Sequence, residues 1–422
     1  MELRVPAGLA DLKREYGRQL EHWRLAAVRL GDLDAVAAAH AWQGLEHYLG
    51  VALRQTLTEM VTRVLRTAET VAGQLRTVQT AQDLAGVRKG LLDLRRAYTR
   101  AETGVEFYTD ALASRAVPRM AALLRACDYI ATRSLTEALT PLGRHVPAAL
   151  TYLDGGMGAS ILKAGLRLWD GTAESPVCTI KVVRHNLFRP TAVLHEAGHQ
   201  FAFSLGWTDE LAAALRGVSG GTQLGETWSS WASEIAADAF ALVHSGYASV
   251  AALHDVIDGS DSAVFQILPG DPHPVAFLRL LLGVESSRLL YGAGPWDALA
   301  ESWLTNHPLR RAPASVRDFF QDSMNAMPRI AGLVFMRPYR AFGGRPLTAV
   351  VNPQRVSPAA LERLERAAGA AAFTSPFWLW NEAIRLLALT GYRAAAGAAA
   401  LREATAQQEQ WMLKLGALRM AA

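Results

Sequence analysis

Apolar residues in the first third of the chain recur every three or four positions. From Leu53 they fall at Leu57, Met60, Val61, Val64, Leu65, Ala68, Val71, Ala72 and Leu75, with Arg, Thr, Gln and Glu between them. That spacing puts one apolar stripe on a helix. The stretches around 10–30, 90–112 and 118–139 have the same character, so an antiparallel helical bundle is expected over residues 1–143. No repeat of fixed period is visible.

The pattern changes near residue 140. Thr140-Pro141-Leu142-Gly143 closes the helical region, and Val146–Leu153 reads as a strand. Val177–Val183 is a stronger strand candidate, with β-branched residues at 177, 179, 180, 182 and 183. Arg189-Pro190-Thr191 then opens a helix, with Pro190 suited to its first position. Gly206 is a fitting stop after Leu205. Beyond about residue 300 the chain is again largely helical, interrupted at Arg337-Pro338, Gly343-Gly344 and Asn352-Pro353. The alanine- and aromatic-rich stretch 367–401 contains Glu382, Arg385 and Arg393, which favours a packed helix over a membrane span.

Composition narrows the class. Half of the 422 residues are hydrophobic, which suits a globular protein of two or three packed regions. Lys+Arg total 43 against 39 Asp+Glu, a net +4 without a basic block, so nucleic acid is not an expected partner. Two cysteines far apart, Cys127 and Cys178, are no disulfide scaffold and suit a reducing compartment. The start Met1-Glu2-Leu3-Arg4 is charged at once and lacks an apolar core, so no signal peptide is expected. A soluble, cytoplasmic protein without membrane spans is the resulting expectation.

Chemistry concentrates in the middle. His195-Glu196-Ala197-Gly198-His199 places two imidazoles four residues apart on one helical face, within reach of one tetrahedral zinc ion. Glu196, rotated by roughly 100° from His195, misses the metal but can take a proton from an attacking water. A catalytic zinc needs a third protein ligand. In the segment Trp231–Asp238, Glu234 and Asp238 lie i and i+4 on one helical face. One can bind the metal while the other accepts the free ring N–H of a histidine ligand. Glu234 is the preferred ligand, with Asp238 supporting it and Glu226 in reserve, on what reads as the start of the same helix. The small residues Ala197, Gly198, Ala232, Ser233, Ala236 and Ala237 would let the two helices approach closely.

A helix with His-Glu-x-x-His followed by a helix with Glu-x-x-x-Asp resembles the gluzincin class of zinc peptidases. Downstream, Asp271-Pro272-His273-Pro274 with Arg279 six residues beyond the histidine is similar to a motif of the CAAX-prenyl endopeptidase superfamily and its soluble relatives. The resemblance covers roughly 175–285. It implies that His273 holds the substrate carbonyl or developing oxyanion, and that Arg279 orients His273 or the substrate backbone, a role compatible with transition-state electrostatics. It also implies that the strand at 177–183 is an edge that pairs with an extended peptide. The chain lacks that family's evident membrane helices, so a lipidated substrate is not implied.

The expected fold is mainly α with a small sheet: a zincin-like metallopeptidase core over 144–305, flanked by the bundle over 1–143 and a helical region over 306–422. The expected function is zinc-dependent endopeptidase, acting on a protein or peptide substrate, with regulatory or substrate contact through the N-terminal helices. The alternatives are a catalytically weak or inactive zincin-like binding module and a zinc aminopeptidase. No acidic motif to grip a substrate amine stands out for the last.

Overall fold

The computed structural model describes residues 8–155, 160–162, 167–168, 173–219 and 223–418. Four helices come first, α1 (Leu9–Leu30), α2 (Ala39–Leu49), α3 (Leu53–Thr77) and α4 (Ala81–Ser114), followed by α5 (Pro118–Leu139). Short strands follow: β1 (Ala149–Leu153), β2 (Ser160–Leu162), β3 (Arg167–Leu168), β4 (Ala173–Glu174) and β5 (Cys178–Val182). Then come α6 (Thr191–Leu205), α7 (Trp207–Arg216), α8 (Gln223–Ser230), α9 (Ala232–Ser245), α10 (Tyr247–Ile257), α11 (Asp261–Val264) and α12 (Ala276–Tyr291). The remainder holds α13 (Pro295–Asn306), α14 (Arg317–Phe335), α15 (Leu347–Val350), α16 (Pro358–Ala368), α17 (Pro376–Ala394) and α18 (Ala398–Leu418). The protein is mainly α with a small sheet, as its periodicity implies. No described helix is long and apolar enough to cross a membrane.

The chain divides into two compact units, residues 1–116 with 164–176, and residues 117–163 with 177–422. In the first, the three-and-four spacing of α3 buries Leu57, Met60, Val61, Val64, Ala68 and Val71, and the helix packs against α1 and α4. A capping box starts α4: the Thr80 hydroxyl accepts from the Asp83 amide at 3.2 Å, and the Thr80 amide donates to Asp83 at 2.8 Å. Strands β3 and β4 pair antiparallel in this unit.

The first unit ends before α5, short of the boundary expected at 143. The reason is burial. Helix α5 buries residues around much of its circumference, from Ala121 to Leu139, and packs on β1, α6 and α18. Asp128 locks it to the sheet by accepting from the amide of Thr151 at 2.6 Å and from its hydroxyl at 2.7 Å. The helices after residue 306 belong to the same second unit as the residues around the histidines, so the division expected at 305 does not separate two compact units.

The sheet of the second unit has the order β1-β5-β2, with β5 parallel to β1 and antiparallel to β2. Strand β5 is therefore central. The edge-strand role expected for 177–183 is corrected, since its main-chain groups pair on both sides (Ile180 faces Thr151 in one ladder and Ile161 in the other). Helix α6 begins at Thr191, so Pro190 stands just outside it rather than in the first turn, and Gly206 closes it at φ 66°. Val193, Leu194, Ala197, Phe201 and Ala202 are buried. Helix α9 crosses α6 where both carry small residues. A Cβ on Gly198 would lie 2.8 Å from the Cα of Ala237 and 2.8 Å from the Cβ of Phe240. The glycine permits this close crossing, and the crossing sets the distance between the polar residues that the two helices carry.

Candidate metal centre

Helix α6 supplies His195, Glu196 and His199; α9 supplies Ser233, Glu234 and Asp238; α12 supplies Arg279, and the segment before it supplies His273. All seven residues expected at the site line one cavity of about 520 Å³.

The side chains of His195, His199 and Glu234 converge. Glu234 Oε2 lies 3.3 Å from His195 Nε2, and Oε1 lies 3.2 Å from His199 Nε2. One ligand atom from each of the three lies within 4.8 Å of the others, a group able to hold a metal ion. The two rings stand nearly perpendicular, at 87°, with centroids 4.8 Å apart. For a tetrahedral ion with bonds of about 2.0–2.1 Å, neighbouring ligand atoms are separated by about 3.3 Å. The two nitrogen–oxygen separations, each to a different oxygen of Glu234, are of that size, and with two imidazoles and a carboxylate the donor set fits a metal ion.

The outer nitrogens are also engaged. His195 Nδ1 lies 2.8 Å from Asp238 Oδ1, and His199 Nδ1 lies 3.2 Å from Ser233 Oγ. Each contact turns Nε2 inward toward the shared point. Asp238 is itself held by Arg279, which donates from Nε to Oδ2 at 2.7 Å and from Nη2 to Oδ1 at 2.8 Å. The same Nη2 reaches Glu234 Oε2 at 3.3 Å. The resemblance implies that Arg279 orients His273 or the substrate backbone; here its donors meet Asp238 and Glu234.

Charge follows geometry. Burial disfavours the Asp238 carboxylate, but the Arg279 charge and the His195 hydrogen bond outweigh it and hold the group below its usual range. Glu234 is likewise opposed by burial yet held well below normal by its bonds to His195 and His199. Burial works against the charged form of His195, but protein charges, led by Asp238, push it up to about 10. Glu196 is different. It is buried, and burial raises its carboxyl despite the neighbouring histidines, which pull it down. A base whose proton affinity is lifted by its surroundings is suited to accept and return a proton.

His273 is the most exposed member. Its Nδ1 lies 2.7 Å from Asp271 Oδ1, and its Nε2 lies 3.5 Å from Glu234 Oε2. The Asp271 carboxylate also accepts from the backbone amide of His273 at 2.9 Å, so the turn that presents the ring is closed by the same group. Glu226, the reserve ligand, is exposed on α8 and pairs with Arg216 at 2.9 Å. It sits on a separate helix from Glu234, because Trp231 interrupts the expected continuous one. In the sequence Ser233 is only one of the small residues at the expected helix crossing. Its position one before Glu234 gives no signal that its hydroxyl would reach back to His199.

Comparison with known proteins finds no matching family model, no matching curated protein and no matching solved structure.

Proposed function

We propose that the protein is a zinc-dependent endopeptidase. The observation that carries this reading is the inward convergence of two imidazole nitrogens and one carboxylate on α6 and α9, with each ring held from behind. Borderline nitrogen donors plus one carboxylate suit zinc. When bound, the ion would supply Lewis-acid polarisation of a carbonyl and acidify water.

The chain's own groups would do the rest. Glu196 takes the proton of the attacking water and passes it to the leaving amine. His273, on the exposed side of Glu234, donates toward the carbonyl oxygen as negative charge develops there. Asp238 and Ser233 keep the histidine rings in the orientation that frees Nε2. Arg279 acts through Asp238 as a positioning residue. Together these roles form the zincin-like reading, and the intact base and ligand set favours turnover over a purely binding module.

Proteomic cleavage profiling with wild type beside Glu196→Gln tests it. New peptide termini that depend on Glu196 are the expected result. Identical termini from the two proteins would overturn the assignment.

A further inference from the structure

The cavity that contains the metal residues extends well past them. Its lining includes Leu242 of α9, Val250 and Leu253 of α10, Leu282 and Gly283 of α12, and Phe335 of α14. Most of these are buried, and the apolar surface exceeds the polar. Water attack at a carbonyl needs none of this. At about 520 Å³ the space falls within the range of about 300–1,000 Å³ typical of ligand sites. Val256, which also lines the cavity, is exposed, so the apolar surface continues to solvent.

Resting on the peptidase reading, we infer that this chamber takes a bulky apolar side chain, aromatic or long aliphatic, from the substrate residue beside the scissile bond. Two features argue for that occupant. The same continuous cavity is lined by the metal residues and by the apolar walls, so a group seated in the chamber stays joined to a carbonyl held near Glu234. Among the described residues the chamber has no charged residue beyond those of the metal cluster and its supports, so they offer nothing to a charged side chain.

Gly283 brings α12 close to Val250 of α10. A Cβ there would stand 3.2 Å from both methyls of Val250, tighter than ordinary contact. Any larger side chain on α12 at this point must displace Val250 or project into the chamber. Gly283 and Val250 are therefore the specificity-determining pair, with α10 and α12 as the two walls.

The test is titration calorimetry of zinc-loaded protein with short peptide hydroxamates that differ only in Phe, Leu or Ala at the residue nearest the hydroxamate. Phe and Leu should bind at least about tenfold more tightly than Ala, the discrimination that burial of a large apolar group supports. Gly283→Val should remove the preference while zinc content is retained. Val250→Ala is the second probe should the first variant fail to fold, and should shift the preference toward Phe over Leu. Equal affinity for all three peptides would overturn the inference, as would a dodecyl hydroxamate binding far more tightly than the Phe peptide, which would assign the chamber to an acyl chain. The two readings fail separately. Phe preference without cleavage of any peptide removes the peptidase assignment and leaves the chamber; cleavage without side-chain preference does the reverse.

Discussion

Gly198 lies so close to Ala237 that a single added carbon would stand 2.8 Å from the Ala237 Cα and 2.9 Å from its carbonyl oxygen. Both atoms are backbone and cannot swing aside. Replacing Gly198 with alanine improves helix propensity by about 1 kcal/mol, while overpacking against a rigid neighbour costs about 1–3 kcal/mol. The second effect should win. Gly198→Ala is expected to lower the melting temperature and weaken metal binding, because α6 must move from α9 and His199 from Glu234. Thermal unfolding with metal titration checks it; unchanged values would show that the crossing is not tight.

The two histidine supports differ in strength, and the variants should rank accordingly. Asp238 is charged, 2.8 Å from His195 Nδ1, and fixed by two donors of Arg279. Ser233 is neutral and 3.2 Å from His199 Nδ1. Loss of such partners weakens metal affinity by roughly 10–100-fold. Asp238→Ala should fall at the upper end and Ser233→Ala at the lower, measured by chelator competition. The reverse order would contradict the assigned roles.

His244 is buried against Phe240, with ring centroids 4.5 Å apart, and its Nε2 has no hydrogen-bond partner among the described residues. Burial first, then the Arg355 charge, pushes its pKa down to about 3. The unfolded chain would protonate near pH 6.5, so the folded state binds fewer protons below that value. Stability from this group is present above pH 6.5 and is lost as pH falls toward 3, by about 1.4 kcal/mol per unit. Between pH 6 and 4.5 the wild type should lose about 2 kcal/mol more than His244→Leu in denaturant unfolding. Parallel pH profiles would rule out a buried neutral imidazole.

Asp128 joins α5 to β1 in the core of the second unit. Asp128→Ala removes the charged carboxylate that accepts from the Thr151 amide at 2.6 Å and from its hydroxyl at 2.7 Å, while the hydroxyl keeps the Leu124 carbonyl at 3.0 Å. A buried hydrogen bond to a charged group is worth about 1.5–3 kcal/mol. Denaturant unfolding should show a loss of that size; no change would mean that α5 docks on apolar contact alone.

Much of this site is legible in the sequence. His195, Glu196, His199, Glu234 and Asp238 sit at intervals that helical geometry places on known faces, and the small residues around Gly198 and Ala237 marked the crossing. Periodicity likewise exposed the buried face of α3. What stayed hidden depends on tertiary contact. Nothing local tells whether β5 is flanked on one side or two, since alternation and branching are the same in both cases. The break between α8 and α9 carries neither proline nor glycine, only Trp231. Arg279 could be placed near the site, but its pairing with Asp238 is a matter of where α12 docks. The extent of α5 burial, and with it the first unit boundary, is set by β1 and α18 from distant parts of the chain.

Metal analysis joined to peptide cleavage, on wild type and Glu196→Gln purified side by side, bears most directly on the central claim. About one zinc per chain is expected in both proteins, with peptide hydrolysis only in the wild type. Wild-type protein that takes up no zinc, or a Glu196→Gln variant that cleaves as fast as wild type, would contradict it.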